Sequence, residues 1–161
     1  MKNIFLIICF LFYVNINAQK LYEGKSSYSS NVIFNVKNGY VYKGNSTYSS
    51  SSIYYFDGTY LYQSKNKSKY SSDIIGTYKN GKIYKGKSTY LSDILATYYN
   101  GKIYQGNSVY LSNILFTYQN NKIYLGNSTY SSNIICNTSS YIHPIILYFI
   151  LVQWKRKQNL E

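Results

Sequence analysis

The chain has 161 residues, which is enough for one domain or one short repeat array but not for two substantial cores. It is strongly basic, with 17 Lys plus Arg against 5 Asp plus Glu, and it contains 23 tyrosines. One His and two Cys are too few for a His/Cys metal cage or a disulfide framework, and the scarce carboxylates argue against a paired-carboxylate hydrolase. We therefore expect no metal and no cofactor.

Residues 1–18 have the layout of a secretory signal peptide. Lys2 precedes an apolar run over residues 4–14, and the small residue Ala18 marks a cleavage site. The alternative is a buried first strand or helix. A transmembrane span is disfavoured, because an apolar run this short is poorly suited to crossing a bilayer. We expect a protein that is secreted or held in the periplasm or cell envelope, with Cys136 left as its sole cysteine and no internal disulfide.

A period of about 20 residues dominates the sequence after residue 20. One tyrosine series consists of Tyr22, Tyr42, Tyr62, Tyr84, Tyr104 and Tyr124. A second series consists of Tyr28, Tyr48, Tyr70, Tyr90, Tyr110 and Tyr130, with a two-residue insertion in the loop over residues 63–70. Such a period indicates units that become stable by packing on their neighbours.

Turn signals divide each unit into two short strands. They are Asn38-Gly39, Asp57-Gly58, Asn80-Gly81, Asn100-Gly101 and Asn120-Asn121. These residue pairs tolerate the positive φ of a two-residue hairpin turn, so they predict β-hairpins. The turn at residues 100–101 pairs Tyr99 with Lys102. Strict alternation then places Ile94, Ala96, Tyr98 and Ile103 on one face and Leu95, Thr97 and Tyr104 on the other.

The two ends of the array are complementary. Residues 20–24 match the second strand of a unit, and residues 132–137 match the first strand of one. Their pairing would complete a sixth hairpin and close the array into a ring without exposed edges. The alternative is an open solenoid. The predicted fold is all-β, with β-hairpin repeats over residues 19–137 closed into a flower-like array.

Two segments leave alternatives open. The segment over residues 24–31 and its copies are rich in Ser and Thr, which favours turns, but they could also form further strands with tyrosine on the buried side. Residues 138–161 form a hydrophobic and basic tail in which Ser139 or Ser140 could cap a helix entered near Pro144. That tail is a helix or strand packed on the array, an interfacial membrane anchor carrying Trp154, or a partly disordered end.

No catalytic, cofactor-binding or metal-binding residue is predicted. His143 is the only histidine and lies in the divergent tail. Asp73 and Asp93 occupy a repeat position that elsewhere holds Asn, which indicates a turn role. The protein is therefore expected to be no enzyme but a structural or binding module of the cell envelope or exterior.

Envelope polysaccharide or another envelope protein is the expected partner, with a weak membrane-surface contact through the tail as a further option. Nucleic acid is disfavoured because the chain has one arginine and its lysines are dispersed. A glycan- or cell-wall-binding accessory protein is the alternative function. The tyrosines interpreted as packing residues at the repeat interfaces are Tyr22, Tyr42, Tyr84, Tyr104 and Tyr124. A binding surface would therefore use positions that vary between units, namely Lys43, Lys85, Gln105 and Leu125.

The repeat resembles that of the four-fold beta-flower proteins, a family of small secreted bacterial proteins. The match includes Ile83-Tyr84-Lys85-Gly86, Ser88-Thr89-Tyr90 and Ser92-Asp93-Ile94-Leu95, and it extends over about residues 20–136. This resemblance implies a flower-like ring and no assigned activity. The run over residues 54–58 is also similar to the hairpins of choline-binding repeats, which use tryptophans that these repeats lack.

Overall fold

A computed structural model describes residues 18–63 and 70–158. Two segments named above lie outside the described residues. They are residues 1–17 of the predicted signal peptide and residues 64–69 of the loop that carries the two-residue insertion. The described part of the chain contains twelve strands and one α-helix. The strands are β1 (Gln19–Glu23), β2 (Val32–Lys37), β3 (Tyr40–Lys43), β4 (Ser52–Phe56), β5 (Tyr60–Gln63), β6 (Ile74–Lys79), β7 (Lys82–Lys85), β8 (Ile94–Tyr99), β9 (Lys102–Gln105), β10 (Ile114–Gln119), β11 (Lys122–Leu125) and β12 (Ile134–Thr138), and the helix is α1 (Pro144–Gln158).

The strands form a closed antiparallel barrel in sequence order. β1 pairs with β12, with Leu21 opposite Thr138 and Glu23 opposite Cys136. The two half-units at the ends of the repeat array therefore form a sixth hairpin, as predicted. Closure satisfies the backbone N–H and C=O groups that an open array would leave at both edges.

The hairpin turns follow the predicted geometry. Asn100 and Gly101 have φ values of 47° and 73°, and Tyr99 pairs with Lys102 as predicted. A Cβ added at Gly101 would lie 2.9 Å from the Tyr118 carbonyl oxygen, which explains why this turn position favours glycine. All these turns lie at one end of the barrel, which we call the Asn-Gly end.

The second turn differs from the prediction by one residue. Its closing pair is Asp57 and Tyr60, joined by an Asp57 N–H to Tyr60 carbonyl hydrogen bond of 3.2 Å. The turn centre is therefore Gly58-Thr59 rather than Asp57-Gly58. The Asp57 carboxylate causes the shift, because its Oδ1 accepts the backbone N–H groups of Thr59 at 2.9 Å and Tyr60 at 2.7 Å.

Each even-numbered strand carries a β-bulge near its first residue. In β8, Ile94 is opposite Tyr84 and Ala96 is opposite Ile83, so Leu95 is an extra residue. Leu95 packs against the core cluster while Ile94 lies outside it, which makes the predicted assignment of these two residues to faces wrong. Strict alternation fails because a bulge displaces the side-chain phase by one residue.

The helix α1 fills the barrel. Ile145, Leu147, Ile150 and Leu151 are fully buried and belong to the same core as Phe116 on the wall. About eight strands enclose a space that wall side chains fill on their own, so a twelve-stranded ring needs additional filling. The tail is thus a helix packed on the array, and no described helix is long and apolar enough to cross a bilayer.

The segment before α1 crosses the Asn-Gly end. Ser139 does not cap the helix: its Oγ accepts the Lys20 backbone N–H at 2.8 Å. The Tyr118 hydroxyl holds the crossing chain by donating to the Ser140 carbonyl at 3.2 Å and accepting the Ile142 N–H at 3.3 Å. The helix then begins at Pro144, a residue favoured in the first helical turn.

The interior is asymmetric although the ring is repetitive. Equivalent inward positions hold bulky Phe116 and Tyr54 but also Gly76 and Ala96. A Cβ added at Gly76 would lie 2.6 Å from the Phe149 ring. The small residue on β6 therefore makes room for α1.

We expect Gly76→Ala to lower the free energy of unfolding by about 1–3 kcal/mol, because the added methyl overpacks the contact with Phe149. Phe149→Leu introduced into that variant should recover part of the loss. Urea unfolding of the four members of this double-mutant cycle measures the coupling. Additive effects would mean that the Phe149 ring does not pack on Gly76.

Candidate functional site

Six equivalent loops join successive hairpins at the end of the barrel opposite the Asn-Gly end. Each contains one tyrosine of the second series, and these side chains are 72–79% exposed. The residues are Tyr28, Tyr48, Tyr70, Tyr90, Tyr110 and Tyr130. We call the six segments the tyrosine loops and this end the tyrosine end. The alternative in which these loops form strands with buried tyrosines is wrong.

Hydrogen bonds fix the described residues of these loops, which exclude residues 64–69 of the third loop. In the fourth unit the Ser88 hydroxyl accepts the Tyr90 N–H at 3.1 Å, and the Tyr90 carbonyl accepts the Asp93 N–H at 3.0 Å. Across the six loops the tyrosine φ lies between −78° and −68° and ψ between 142° and 148°. The tyrosines are therefore exposed on ordered turns with nearly identical backbone geometry.

The sheet anchors the loops at a glycine. Gly106 has φ 63° and donates its N–H to the Leu95 carbonyl at 3.0 Å, so the chain leaves the sheet at this point. Its carbonyl accepts a hydrogen bond from the Thr97 hydroxyl at 2.8 Å. The same Thr-to-Gly bond joins Thr77 to Gly86 and Thr117 to Gly126. In these three units the threonine thus fixes where the adjacent loop begins.

The first tyrosine series has a different role. Tyr62, Tyr84, Tyr104 and Tyr124 are 5–8% exposed, whereas Tyr22 and Tyr42 are only partly buried. The burial of Tyr84, Tyr104 and Tyr124 agrees with the prediction that they pack between repeats. Packing therefore explains why these residues recur. It does not explain the recurrence of the loop tyrosines, which the sequence analysis did not single out as a binding surface. The signal that could have found them is the Ser two residues earlier, whose turn hydrogen bond exposes the tyrosine.

The positions that vary between units lie at the same end. Lys43, Lys85, Gln105 and Leu125 are the last residues of β3, β7, β9 and β11, and all four are exposed. Glu23 and Gln63 hold the same position in β1 and β5. We call these six residues the mouth ring. The structure therefore places the predicted variable positions on one rim, beside the tyrosine loops.

The C-terminal half of α1 reaches the mouth ring. The Trp154 indole N–H donates to Glu23 Oε1 at 3.3 Å, and Lys155 and Arg156 are exposed beyond it. Cavities of about 240 and 280 Å³ lie between this part of the helix and the barrel wall. The sequence predicts a role for Trp154 only as a membrane anchor, because nothing in its pattern shows that the helix crosses the barrel.

The other titratable residues have structural surroundings. Asp93 accepts a hydrogen bond from the Ser88 hydroxyl within its own loop, in agreement with the turn role predicted for this position. Cys136 is a free thiol that is fully buried, and burial raises its pKa to about 12. A neutral buried thiol is a poor nucleophile.

His143 is the last residue of the crossing segment at the Asn-Gly end. Its ring centroid is 4.5 Å from those of Phe56 and Tyr78, and its buried Nδ1 has no hydrogen-bond partner. Burial lowers the pKa of His143 from 6.5 to about 4. The imidazole is therefore neutral and packs as an aromatic ring.

His143 should make stability pH-dependent. Because its pKa is lower in the folded than in the unfolded state, stability is full above pH 6.5 and falls as the pH drops towards 4. We expect a loss of about 1–3 kcal/mol, less than full burial would cause. Urea unfolding of wild type and His143→Phe between these pH values measures it. An unchanged pH dependence in the variant would contradict the assignment.

The comparisons with known proteins identify a family. The sequence matches the family model described as 6-fold beta flower protein over residues 21–147. No curated protein and no solved structure matches the chain. The unit number of four implied by the resemblance is wrong, because the ring has six hairpins, one of them assembled from both ends of the array. The chain belongs to the family of 6-fold beta flower proteins.

Proposed function

We propose that this protein is an exported, non-catalytic binding module of the cell envelope or exterior. The observation that carries the proposal is the ring of six tyrosines at equivalent repeat positions, each at least 72% exposed and directly followed by the same short helical turn. Large aromatic side chains that are exposed at the same end of the barrel in every repeat mark a candidate interaction surface. Tyrosine offers a broad amphipathic contact surface with little side-chain entropy to lose.

Envelope glycan is the partner that this surface suits best. Tyrosine rings stack on the apolar faces of sugar rings, and the loops supply Ser and Asn side chains beside them as hydrogen-bond partners. A polymer with repeating units could engage several loops at once, so that weak single contacts add up through avidity. The formal charge of +12 for the full chain falls only to +11 when Lys2 is removed with the signal peptide, and it would also favour association with anionic envelope polymers.

Loss of loop tyrosines should weaken binding to purified cell-wall glycan in a graded way. We expect Tyr90→Ser to reduce affinity about twofold to fivefold and replacement of all six to abolish binding, since each stacking contact contributes about 0.5–1 kcal/mol. Tyr99→Ser is the matched control, because Tyr99 is 61% exposed but lies at the Asn-Gly end. Glycan arrays and cell-wall pull-downs measure the effect.

Two results would overturn the glycan proposal. Equal losses for Tyr90→Ser and Tyr99→Ser would show that binding does not use the tyrosine loops. A wild-type protein that binds no glycan but forms oligomers would instead support a structural role in contact with other envelope proteins.

Export has its own test. Residues 1–18 carry the predicted signal peptide, so cell fractionation should find the protein outside the cytosol with its N-terminus at Gln19. Deletion of residues 2–18 should leave the protein in the cytosol. Full-length protein retained in the cytosol with residues 1–18 intact would contradict export.

A further inference from the structure

The tyrosine end contains a cleft between α1 and the barrel wall that is distinct from the tyrosine loops. The first lobe has a volume of about 240 Å³ and is lined by Ile33, Phe34, Lys43, Ile53, Gln153 and Trp154. The second lobe has a volume of about 280 Å³, and its lining includes Ile75, Leu95, Phe149, Gln153 and Arg156. Gln153 borders both lobes, so they adjoin along one side of the helix.

The lining combines an apolar floor with a cationic rim. Ile33 and Ile53 form the floor of the first lobe, and Lys43 stands exposed at its edge. Arg156 has the same position in the second lobe. Glu23, the one acidic member of the mouth ring, accepts the Trp154 indole N–H but lines neither lobe. The charged residues that line the two lobes, Lys43 and Arg156, are both cationic.

We propose that this cleft binds a free single-chain amphiphile with an anionic head, such as a fatty acid. The hydrocarbon chain lies on the apolar floor and the carboxylate pairs with Lys43. An apolar cavity of about 150 Å³ is enough to hold benzene, and the two lobes together reach the roughly 300–1,000 Å³ of ordinary small-molecule sites. Sugars do not suit the first lobe, because half of its lining residues are the hydrocarbon side chains Ile33, Phe34 and Ile53.

Trp154 provides a local probe, since it is the only tryptophan of the chain and lines the first lobe. A dodecanoate brominated at its terminal carbon should quench the fluorescence of the purified full chain saturably at concentrations below those that form micelles. The brominated alcohol of equal length should bind about threefold to tenfold more weakly, because it lacks the charge. Affinity should rise about fourfold per methylene from octanoate to dodecanoate in competition experiments.

Matched variants test the position of the head group. Lys43→Gln should weaken dodecanoate binding about threefold to tenfold, whereas Lys85→Gln should not, because Lys85 has the same repeat position and charge but does not line either lobe. Ile53→Phe, which fills the floor, should weaken the acid and the alcohol equally. Thermal melting establishes that each variant remains folded.

Three outcomes would overturn the proposal. They are equal affinity for acid and alcohol, equal effects of Lys43→Gln and Lys85→Gln, and quenching by vesicles of brominated anionic phospholipid without quenching by monomeric dodecanoate. The last result would assign the rim to a membrane surface. Glycan binding by Lys43→Gln is a separate measurement, so failure here leaves the proposed function untouched.

Discussion

The width of the closed twelve-stranded ring determines how this protein fills its core. Strand side chains alone fill a barrel of about eight strands, and six hairpins enclose more space than that. The helix α1 supplies the missing apolar volume through Leu147, Ile150 and Leu151, which are fully buried. The hairpins need their neighbours for edge pairing, and the ring needs the helix for a core, so we expect folding to be cooperative across the whole barrel.

A single helix inside a six-fold ring necessarily breaks its symmetry. Gly76 and Ala96 leave room on one side, whereas Tyr54 and Phe116 occupy equivalent positions elsewhere. The tyrosines of the outer loops nevertheless keep nearly the same backbone geometry in all six units. The tyrosine end thus combines six similar tyrosine positions outside with a cleft beside α1 within.

The two proposed recognition surfaces differ in kind. The tyrosine loops present the same aromatic residue around a rim, which suits a polymer that presents the same unit many times. The cleft beside Trp154 joins apolar residues to the positive charge of Lys43. The two surfaces are adjacent but use different residues. Binding to one surface can therefore be measured in variants that leave the residues of the other unchanged.

The hairpins, the position of most turns and the closure of the ring can be predicted from the sequence, because they depend on local backbone preferences and on a period visible in the chain. Local reasoning missed the bulge at Leu95 and the shifted turn at Asp57, where one extra residue or one carboxylate alters the register. The folded structure is needed to show that Tyr90 is exposed while Tyr84 is buried. It is also needed to show that α1 fills the ring and forms a cleft with its wall. Those outcomes depend on contacts across the barrel between residues that are far apart in the chain. Neither periodicity nor composition predicts which of those residues come into contact.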